Sequence, residues 1–282
     1  MSSPWYTPLI EAIPERHSVR TFLPDSLSAQ CRDAVSQYPA NLFLPFSHNT
    51  TFAFFQAVPG KKLYNNGINP VDNLALLSQT DLLSISKTGF IGELLMLYAV
   101  SLGISTCWFG HYKLSQLGRY IPNIASKERI QESTLGYGYG NHVDVGERAI
   151  CCIPLGHYDE KSKRLLDIIM KRMSQNRKPL EALLENPQAL NSIPSPLNDV
   201  LKLARLSPSA GNSQMWRFGF RNNFKTITIA KPIGYKHFKW EHPDVDIGIC
   251  AAHLWLGLLK KGFQPRVDVS QNANRALWTF KI

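Results

Sequence analysis

The sequence predicts an α+β fold made of two fused, diverged repeats, each with a central β-sheet flanked by helices around a buried core helix. The chain has 282 residues, enough for about two domains. The order helix, strand, buried helix, strand occurs twice along it. The segments Gly89–Gly103 and Gly248–Gly262 have the same length and end at glycines suited to left-handed C-terminal caps. Many buried helices end in glycine, so it is the repeated order that favours duplication.

The first repeat contains helix and strand patterns in alternation. A helix is expected at residues 26–37, with Asp25 or Ser26 as its N-terminal cap. A Phe-rich strand is expected at 51–58. The later elements are a core helix at 89–103, apolar on nearly all sides, and a strand at 148–156.

The second repeat shows the same pattern. An amphipathic helix at 197–207 carries four apolar residues on one face, namely Leu197, Val200, Leu201 and Ala204. Paired strands at 216–220 and 226–230 follow, and a second core helix covers 246–262.

These elements divide the chain into three parts. Residues 1–158 form the first repeat, and residues 197–282 form a second, truncated repeat. Between them, residues 159–196 are charged, contain prolines and show helical patterns only in places, as expected of a long connection.

The composition favours a cytoplasmic protein that does not enter a membrane. No apolar run approaches the roughly 18 residues needed to span a bilayer. The N-terminus lacks the basic-then-apolar order of a signal peptide. The five cysteines are odd in number and show no C-x-x-C spacing, which disfavours a disulfide framework or a metal site.

The formal net charge of +10 has two readings. Nucleic-acid binding is one, but the lysines and arginines are scattered, with only short clusters such as residues 161–164. Binding of a phosphorylated cofactor or an anionic reductant explains the same charge. We therefore expect no nucleic-acid partner.

The strongest local signal is ERHSVRTF at residues 15–22. In an extended segment, Arg16, Ser18 and Arg20 would share one side, with His17 between them. Two guanidinium groups and a hydroxyl on one side are donors suited to a phosphate dianion. A solvated basic loop is the alternative, and the spacing alone does not decide between them.

Two further loops carry residues suited to a flat ligand. LSPSAGNSQMWRF at 206–218 joins a helix to a strand and combines turn residues with short polar side chains. GISTCWFGH at 103–111 follows the first core helix, and its glycines let backbone N–H groups face a ligand. Taken singly, the loop at 206–218 could equally be an ordinary connection, and the segment at 103–111 is better explained as a helix cap leading into a strand.

Together these segments resemble the FMN-dependent nitroreductase family. Its members begin with R-R/H-S-x-R/K-x-F, here RHSVRTF, and carry P-S-x-x-N-x-Q-P-W-x-F, here PSAGNSQMWRF. DIGICAAHL and YAVSLGISTCWFG match its core helix, and IPLGHY and RKPLE match its C-terminal part. The resemblance is weakest over residues 40–88. Met215 stands where the family has proline. The sequence has no clear equivalent of the family's lysine near flavin N1, and neither Lys61 nor Lys62 is assigned to it.

The distribution of the motifs is informative. In an ordinary homodimeric member, each of two FMN sites takes its basic segment from one subunit and its P-S-x-x-N loop from the other. Here the first repeat keeps the basic segment, and the second keeps PSAGN and lacks a basic segment. The resemblance therefore implies one FMN site in a monomer that acts as a pseudo-dimer.

The resemblance also assigns residues to this site. The phosphate and ribityl chain would be held by Arg16, His17, Ser18, Arg20 and Arg177. The isoalloxazine would be lined by Pro208, Ser209, Ala210 and Asn212. The backbone N–H groups of Phe109 and Gly110 would lie near flavin N5 and O4, where negative charge develops on reduction.

The activity implied is a ping-pong, two-electron oxidoreduction. NADH or NADPH would reduce the flavin, and an electron-poor acceptor such as a nitroaromatic or quinone would then be reduced. No side chain stands out as acid or base; His111 is a candidate proton donor, with a lid role favoured for it. A different flavin reaction, or a flavin-binding relative without turnover, remains an alternative.

Overall fold

The computed structural model describes residues 4–65, 67–122, 124, 148–158, 168, 176–237 and 240–282. Basic residues 161–164, and the parts of the predicted connection at 159–167 and 169–175, lie outside the described residues.

The α-helices in the described ranges confirm the predicted helical segments. They are α1 (Thr7–Glu15), α2 (Ala29–Gln37), α3 (Leu82–Ser101), α4 (Leu114–Tyr120), α5 (Ser195–Ala204) and α6 (Asp244–Lys260). Short 3₁₀ helices lie at Tyr38–Asn41, Leu180–Leu183, Pro187–Ser192 and Ala210–Asn212. The buried residues of α5 are the four predicted apolar ones.

Two details at the N-terminus differ from expectation. The α1 helix was not predicted, although it buries Leu9, Ile10, Ala12 and Ile13 on one face. The cap of α2 was wrong: Ser28, whose hydroxyl accepts a hydrogen bond from the Cys31 N–H, is its N-cap. Ser26 instead donates to the Asp72 carboxylate at 2.7 Å, so its hydroxyl serves a tertiary contact.

Two antiparallel sheets confirm the predicted α+β class and share one topology. The first contains β1 (Thr51–Gln56), β2 (Asp72–Ser78), β3 (Ser105–Thr106) and β4 (Arg148–Gly156). The second contains β5 (Arg217–Arg221), β6 (Thr226–Ala230), β7 (Arg266–Gln271) and β8 (Ala276–Lys281). Their strand orders are β1-β2-β4-β3 and β5-β6-β8-β7, so each repeat inserts its last strand between its second and third. This shared order is a duplicated pattern.

The second repeat has a complete sheet. What it lacks is a long connection between its last two strands: β7 and β8 are joined by residues 272–275, whereas β3 and β4 are separated by residues 107–147. The described part of the predicted connection joins the second sheet, because Glu185 N–H donates to the Phe218 carbonyl at 2.9 Å. The domain boundaries at 158 and 196 stay a prediction.

The core helices α3 and α6 cross in direct backbone contact. A Cβ added at Gly89 would lie 2.1 Å from the Val245 carbonyl oxygen, and one added at Gly248 would lie 1.7 Å from that of Ser86. The two contacts are reciprocal, as at a two-fold interface, where the same patch of each partner meets the other. The side chain that any other residue carries would therefore force the helices apart.

Helix α3 is long and apolar enough to cross a membrane by composition, but 78% of its most apolar window is buried inside the protein. Both helices end at glycines in the left-handed conformation, Gly103 at φ 77° and Gly262 at φ 82°. This confirms the predicted caps.

A substitution at the crossing tests its importance. Gly248→Ala places a methyl group against the Ser86 carbonyl, and we expect it to lower the free energy of unfolding by about 3 kcal/mol, the upper end for overpacking. Urea denaturation measures the change. Gly257→Ala, in the same helix, is the control, because its Cβ would meet Val200 at a more tolerable 3.1 Å. Equal stability of the two variants would contradict the close crossing.

Candidate functional site

The basic segment of the first repeat lies extended along the edge of the first sheet. It leaves α1 at Arg16, whose backbone is extended (φ −61°, ψ 122°). Val19 N–H donates to the Thr106 carbonyl of β3 at 3.0 Å, and Leu23 N–H donates to that of His157 at 2.8 Å. The extended conformation predicted for RHSVRTF is therefore present, and it fixes the segment beside the end of α3.

Arg16 is buried with unused hydrogen-bonding capacity. Its side chain is 7% exposed, and its Nε and Nη1 atoms have no hydrogen-bond partner within the described ranges. Burial lowers the pKa of Arg16, the Glu93 carboxylate raises it, and the Arg20 guanidinium lowers it. Because buried guanidinium donors normally have partners, two unpaired nitrogens indicate a place for an anion.

A second guanidinium, that of Arg177, lies close to Arg16. Burial lowers the pKa of Arg177 to about 10, and the charge of Arg16 is the next cause. Its Nη1 donates to the Ser207 carbonyl at 2.9 Å and to Asn212 Oδ1 at 3.0 Å, and its Nη2 donates to the Leu206 carbonyl at 2.9 Å. These three hydrogen bonds therefore hold the connection between α5 and β5, residues 206–216, which we call the PSAGN loop. Arg177 joins this loop to the charge cluster around Arg16.

Hydrogen bonds within the PSAGN loop, and one to the neighbouring Asn176, fix the conformation of this loop. Gly211, Asn212 and Gln214 have positive φ angles of 55°, 55° and 48°. Gln214 N–H donates to Ser209 Oγ at 3.0 Å, and Asn212 Nδ2 donates to the Asn176 carbonyl at 2.7 Å. Pro208 is buried. Asparagine tolerates the left-handed region better than most residues, which explains why it suits this turn.

The assignment of the Phe109 N–H to the flavin needs correction. This N–H donates to the Cys152 carbonyl at 2.9 Å, and the Cys152 N–H donates back to the Phe109 carbonyl. The Phe109 ring stacks on Tyr64 with centroids 4.4 Å apart. Phe109 therefore anchors its loop to β4, and of the two predicted N–H donors only that of Gly110 remains a candidate.

Trp240 of the second repeat lies against Gly110. A Cβ added at Gly110 would lie 2.1 Å from the indole Cζ3, so the ring packs directly on the glycine. The side chain is 8% exposed, and its Nε1 has no partner in the described part of the chain. His237, three residues earlier, lies near Gly211. The sequence interpretation missed Trp240, although KHFKWEH concentrates rings and charges just before a core helix.

Three further predicted residues, His17, Ser18 and His111, make contacts within the first repeat or with Trp240. His17 Nδ1 lies 3.1 Å from the Glu15 carbonyl, and its ring packs edge-on against Tyr158. Ser18 forms a β-bridge with Thr106. The His111 ring lies edge-on to Trp240 with centroids 5.9 Å apart, which places it beside the residue that packs on Gly110.

A buried carboxylate lies beneath the PSAGN loop. Asp246, at the start of α6, accepts the Ala210 N–H at 3.1 Å through Oδ2 and at 3.2 Å through Oδ1. Burial raises the pKa of Asp246 to about 8, the Ala210 N–H lowers it, and the neighbouring Asp244 raises it. The Ala210 N–H therefore serves the loop's attachment to α6.

Solved structures identify the architecture. A crystal structure of a "putative nitroreductase" from Thermotoga maritima MSB8 aligns with a TM-score of 0.60 at 19% identity, covering 100% of this chain and 96% of that one. A nitroreductase family protein from Clostridium difficile 630 aligns over 62% of this chain and 96% of its own, with a TM-score of 0.42 and 12% identity. The alignment with the Thermotoga maritima structure, which covers the whole chain, shows a nitroreductase-like fold.

The sequence comparison then gives the family. The family described as "Putative TM nitroreductase" matches residues 8–258, and the chain belongs to it. No curated protein sequence matches the chain. Family and fold support a general oxidoreductase role, and nitroreductase-family proteins generally bind a flavin. This confirms the resemblance inferred from RHSVRTF and PSAGN.

The buried Asp246 predicts a pH-dependent stability. Between the ordinary carboxyl pKa near 4 and about 8, the folded protein keeps a proton that the unfolded chain has lost. The free energy of unfolding therefore falls as pH rises through this window, by at most about 1.4 kcal/mol per pH unit, and levels off above it. Asp246→Asn stays neutral, so we expect its advantage over the wild type to grow from pH 5 to pH 8.

Urea denaturation at each pH measures this difference. Asp25→Asn, at an exposed position, is the matched control and should follow the wild-type profile. Parallel profiles for Asp246→Asn and the wild type would rule out the raised pKa.

Proposed function

We propose that this chain is an FMN-dependent oxidoreductase with a single flavin site between its two repeats. One observation carries the proposal: the charge of the buried Arg16 of the first repeat acts on Arg177, whose guanidinium donates hydrogen bonds to the PSAGN loop of the second. This link supports a site that takes one half from each repeat. Half-sites far apart could not touch one ligand.

The residues present fit a flavin phosphate. Arg16 offers two buried nitrogens without partners among the described residues; the charge of Arg20 acts on Arg16, and the charge of Arg16 acts on Arg177. Among the described residues, Glu93 is the acidic side chain whose charge acts on both Arg16 and Arg177. Several guanidinium groups around one carboxylate leave net positive charge, which favours a phosphate dianion. In this proposal Arg177 acts mainly by holding the loop, with Ser18 and His17 nearer the ribityl chain.

The ring would lie between the PSAGN loop and Gly110. Pro208, Ser209, Ala210 and Asn212 supply one wall, and Gly110 offers a backbone N–H where a side chain would obstruct the approach. The indole of Trp240 already lies on Gly110, so a bound ring must stack against it or displace it. An aromatic plane beside a flat heterocycle is favourable in an offset stack.

FMN, when bound, supplies two-electron transfer between a nicotinamide nucleotide and an electron-poor acceptor. The protein's own part is to orient the flavin and its substrates and to exclude water from the site. Fixed N–H dipoles such as that of Gly110 stabilise negative charge near the ring. Nitroaromatics and quinones are the acceptor classes that we propose, and either NADH or NADPH serves as reductant.

The reciprocal crossing of α3 and α6 supports action as a monomeric pseudo-dimer, since one chain provides both sides of the interface. All five cysteines are free thiols, four of them buried, which fits a reducing cytoplasm.

Purified full-length protein tests the function. We expect a yellow preparation with about one FMN per chain, because one site is complete. Under anaerobic conditions, NADH or NADPH should bleach the flavin absorbance, and a nitrofuran or a quinone should restore it. Flavin that is not bleached would indicate a binding protein without turnover, and bleaching that neither acceptor reverses would indicate a different flavin reaction. Protein that takes up no flavin would refute the proposal.

Replacing Arg16 tests the phosphate assignment. Arg16→Met keeps most of the buried volume and removes the charge and the donors. A hydrogen bond to a charged group contributes about 1.5–3 kcal/mol, so we expect FMN to bind roughly 10- to 100-fold more weakly. Flavin fluorescence titration measures this, with Arg266→Met, an exposed arginine on β7, as the charge-matched control. Riboflavin, which lacks the phosphate, should bind both variants alike.

Unchanged FMN affinity in Arg16→Met would show that the phosphate lies elsewhere. Equal weakening in Arg266→Met would show that overall charge, rather than a contact at Arg16, sets the affinity.

A further inference from the structure

A buried acid–base pair links the two core helices near the site. Glu93 of α3 and His253 of α6 are both fully buried, and Glu93 Oε1 lies 2.8 Å from His253 Nε2. The second carboxylate oxygen, Oε2, accepts a hydrogen bond from Trp108 Nε1 at 2.8 Å. One carboxylate therefore contacts both repeats and the loop that follows α3.

The pair breaks the internal symmetry of the core. Because Gly89 and Gly103 of α3 correspond to Gly248 and Gly262 of α6, Glu93 corresponds to Ala252 and His253 to Leu94. Ala252 and Leu94 are also fully buried. On the opposite side of the crossing the same packing is thus made with apolar residues. The fold itself does not require charge at these positions.

The charges near Glu93 belong to the proposed anion site. Burial acts to raise the pKa of Glu93, but the hydrogen bond and charge of His253, the charge of Arg16 and the Trp108 hydrogen bond lower it below its ordinary value. Its negative charge in turn raises the pKa of Arg16. These effects favour the ionised form of Glu93, and its charge acts on the buried guanidinium of Arg16, two of whose nitrogens have no partner among the described residues.

Trp108 transmits this contact to the ring site. Its indole packs on Gly92, where an added Cβ would lie 2.5 Å from the ring carbon Cη2. Phe109 and Gly110 follow directly, and Gly110 meets Trp240. A hydrogen bond that fixes the Trp108 indole therefore also fixes the start of the segment against which the ring would lie.

We propose that Glu93 is a positioning residue, which holds Trp108 and the following Phe109–Gly110 segment in place, with His253 as its partner from the second repeat. The identity of the ligand rests on the proposed function; the positioning itself does not. An unpaired indole N–H in the core is unfavourable, so removal of the carboxylate should release the segment.

The symmetry of the core supplies the test variant. The double substitution Glu93→Ala with His253→Leu copies onto this side the residues that already pack on the other. Glu93→Gln is the rescue variant, because its amide can still accept from Trp108 and donate to His253. Trp108→Phe keeps an aromatic ring but removes the indole N–H that donates to Glu93. It replaces the double variant if circular dichroism shows that the double variant does not fold.

Two measurements on the full-length protein test the positioning role of Glu93 separately from the proposed flavin function. The first is hydrogen–deuterium exchange of residues 103–111 without added flavin. We expect exchange about tenfold faster in the double variant and in Trp108→Phe, and wild-type exchange in Glu93→Gln. Residues 262–271, which follow α6, are the internal control and should not change. The second is titration with FMN, which should bind about tenfold more weakly to the double variant and within about threefold of wild type to Glu93→Gln.

The outcomes are distinguishable. Wild-type exchange of residues 103–111 in the double variant or in Trp108→Phe would overturn the positioning role, whatever the flavin affinity. Equal acceleration at 103–111 and 262–271 would mean general loosening of the core and would also overturn it. If the wild type binds no FMN, the proposed function fails, and the exchange measurement alone decides the role of Glu93.

Discussion

Backbone contact between α3 and α6 is the constraint on which the rest of the structure depends. At Gly89 and Gly248 each helix reaches a carbonyl of the other, with no side chain between them. So close a crossing fixes the position of the two helices relative to each other. The loop after α3 carries Gly110, and the segment before α6 carries Trp240, and these two meet. The candidate site is thus a consequence of how two core helices cross.

The same crossing explains why one side of the protein can differ from the other. A symmetric core offers two equivalent positions for a polar network, and each buried charge needs a partner to offset its desolvation. Only one position carries Glu93 and His253, and Arg16 lies near it. Apolar residues at the other position avoid that cost. The charged pair therefore lies on the same side as the site that we propose.

The sequence predicted those features that depend on local pattern. The core helices were predicted because nearly every residue is apolar, and α5 because its apolar residues recur with helical spacing. The basic segment and the PSAGN loop were found as motifs. The N-cap of α2 was placed wrongly because several hydroxyl and acidic residues precede the helix, and Ser26 is used by Asp72 in another element.

Contacts between distant segments could not be predicted from the sequence. The motif correctly located Phe109 and Gly110 after the core helix, but it could not reveal that the Phe109 N–H is used by Cys152 of β4. Nor could it place Trp240 on Gly110, since that contact joins the two repeats. Glu93 and His253 did leave a signal, because an acid and a histidine are unusual inside nearly continuous apolar helices. Pairing them required the crossing geometry.

Family membership and chemistry therefore rest on different parts of the molecule. The motifs and sheets that define the family are framework shared by its members, and they support an oxidoreductase role without selecting an acceptor. In the function that we propose, the residues beside the flavin ring would select the acceptor, and the indole of Trp240, with His111 at its edge, would be one wall. In a homodimer, symmetry would place the same residue beside both rings. With the single site proposed for this chain, Trp240 could change without altering a second site, so the acceptor side could diverge while Glu93, Arg16 and the helix crossing are kept.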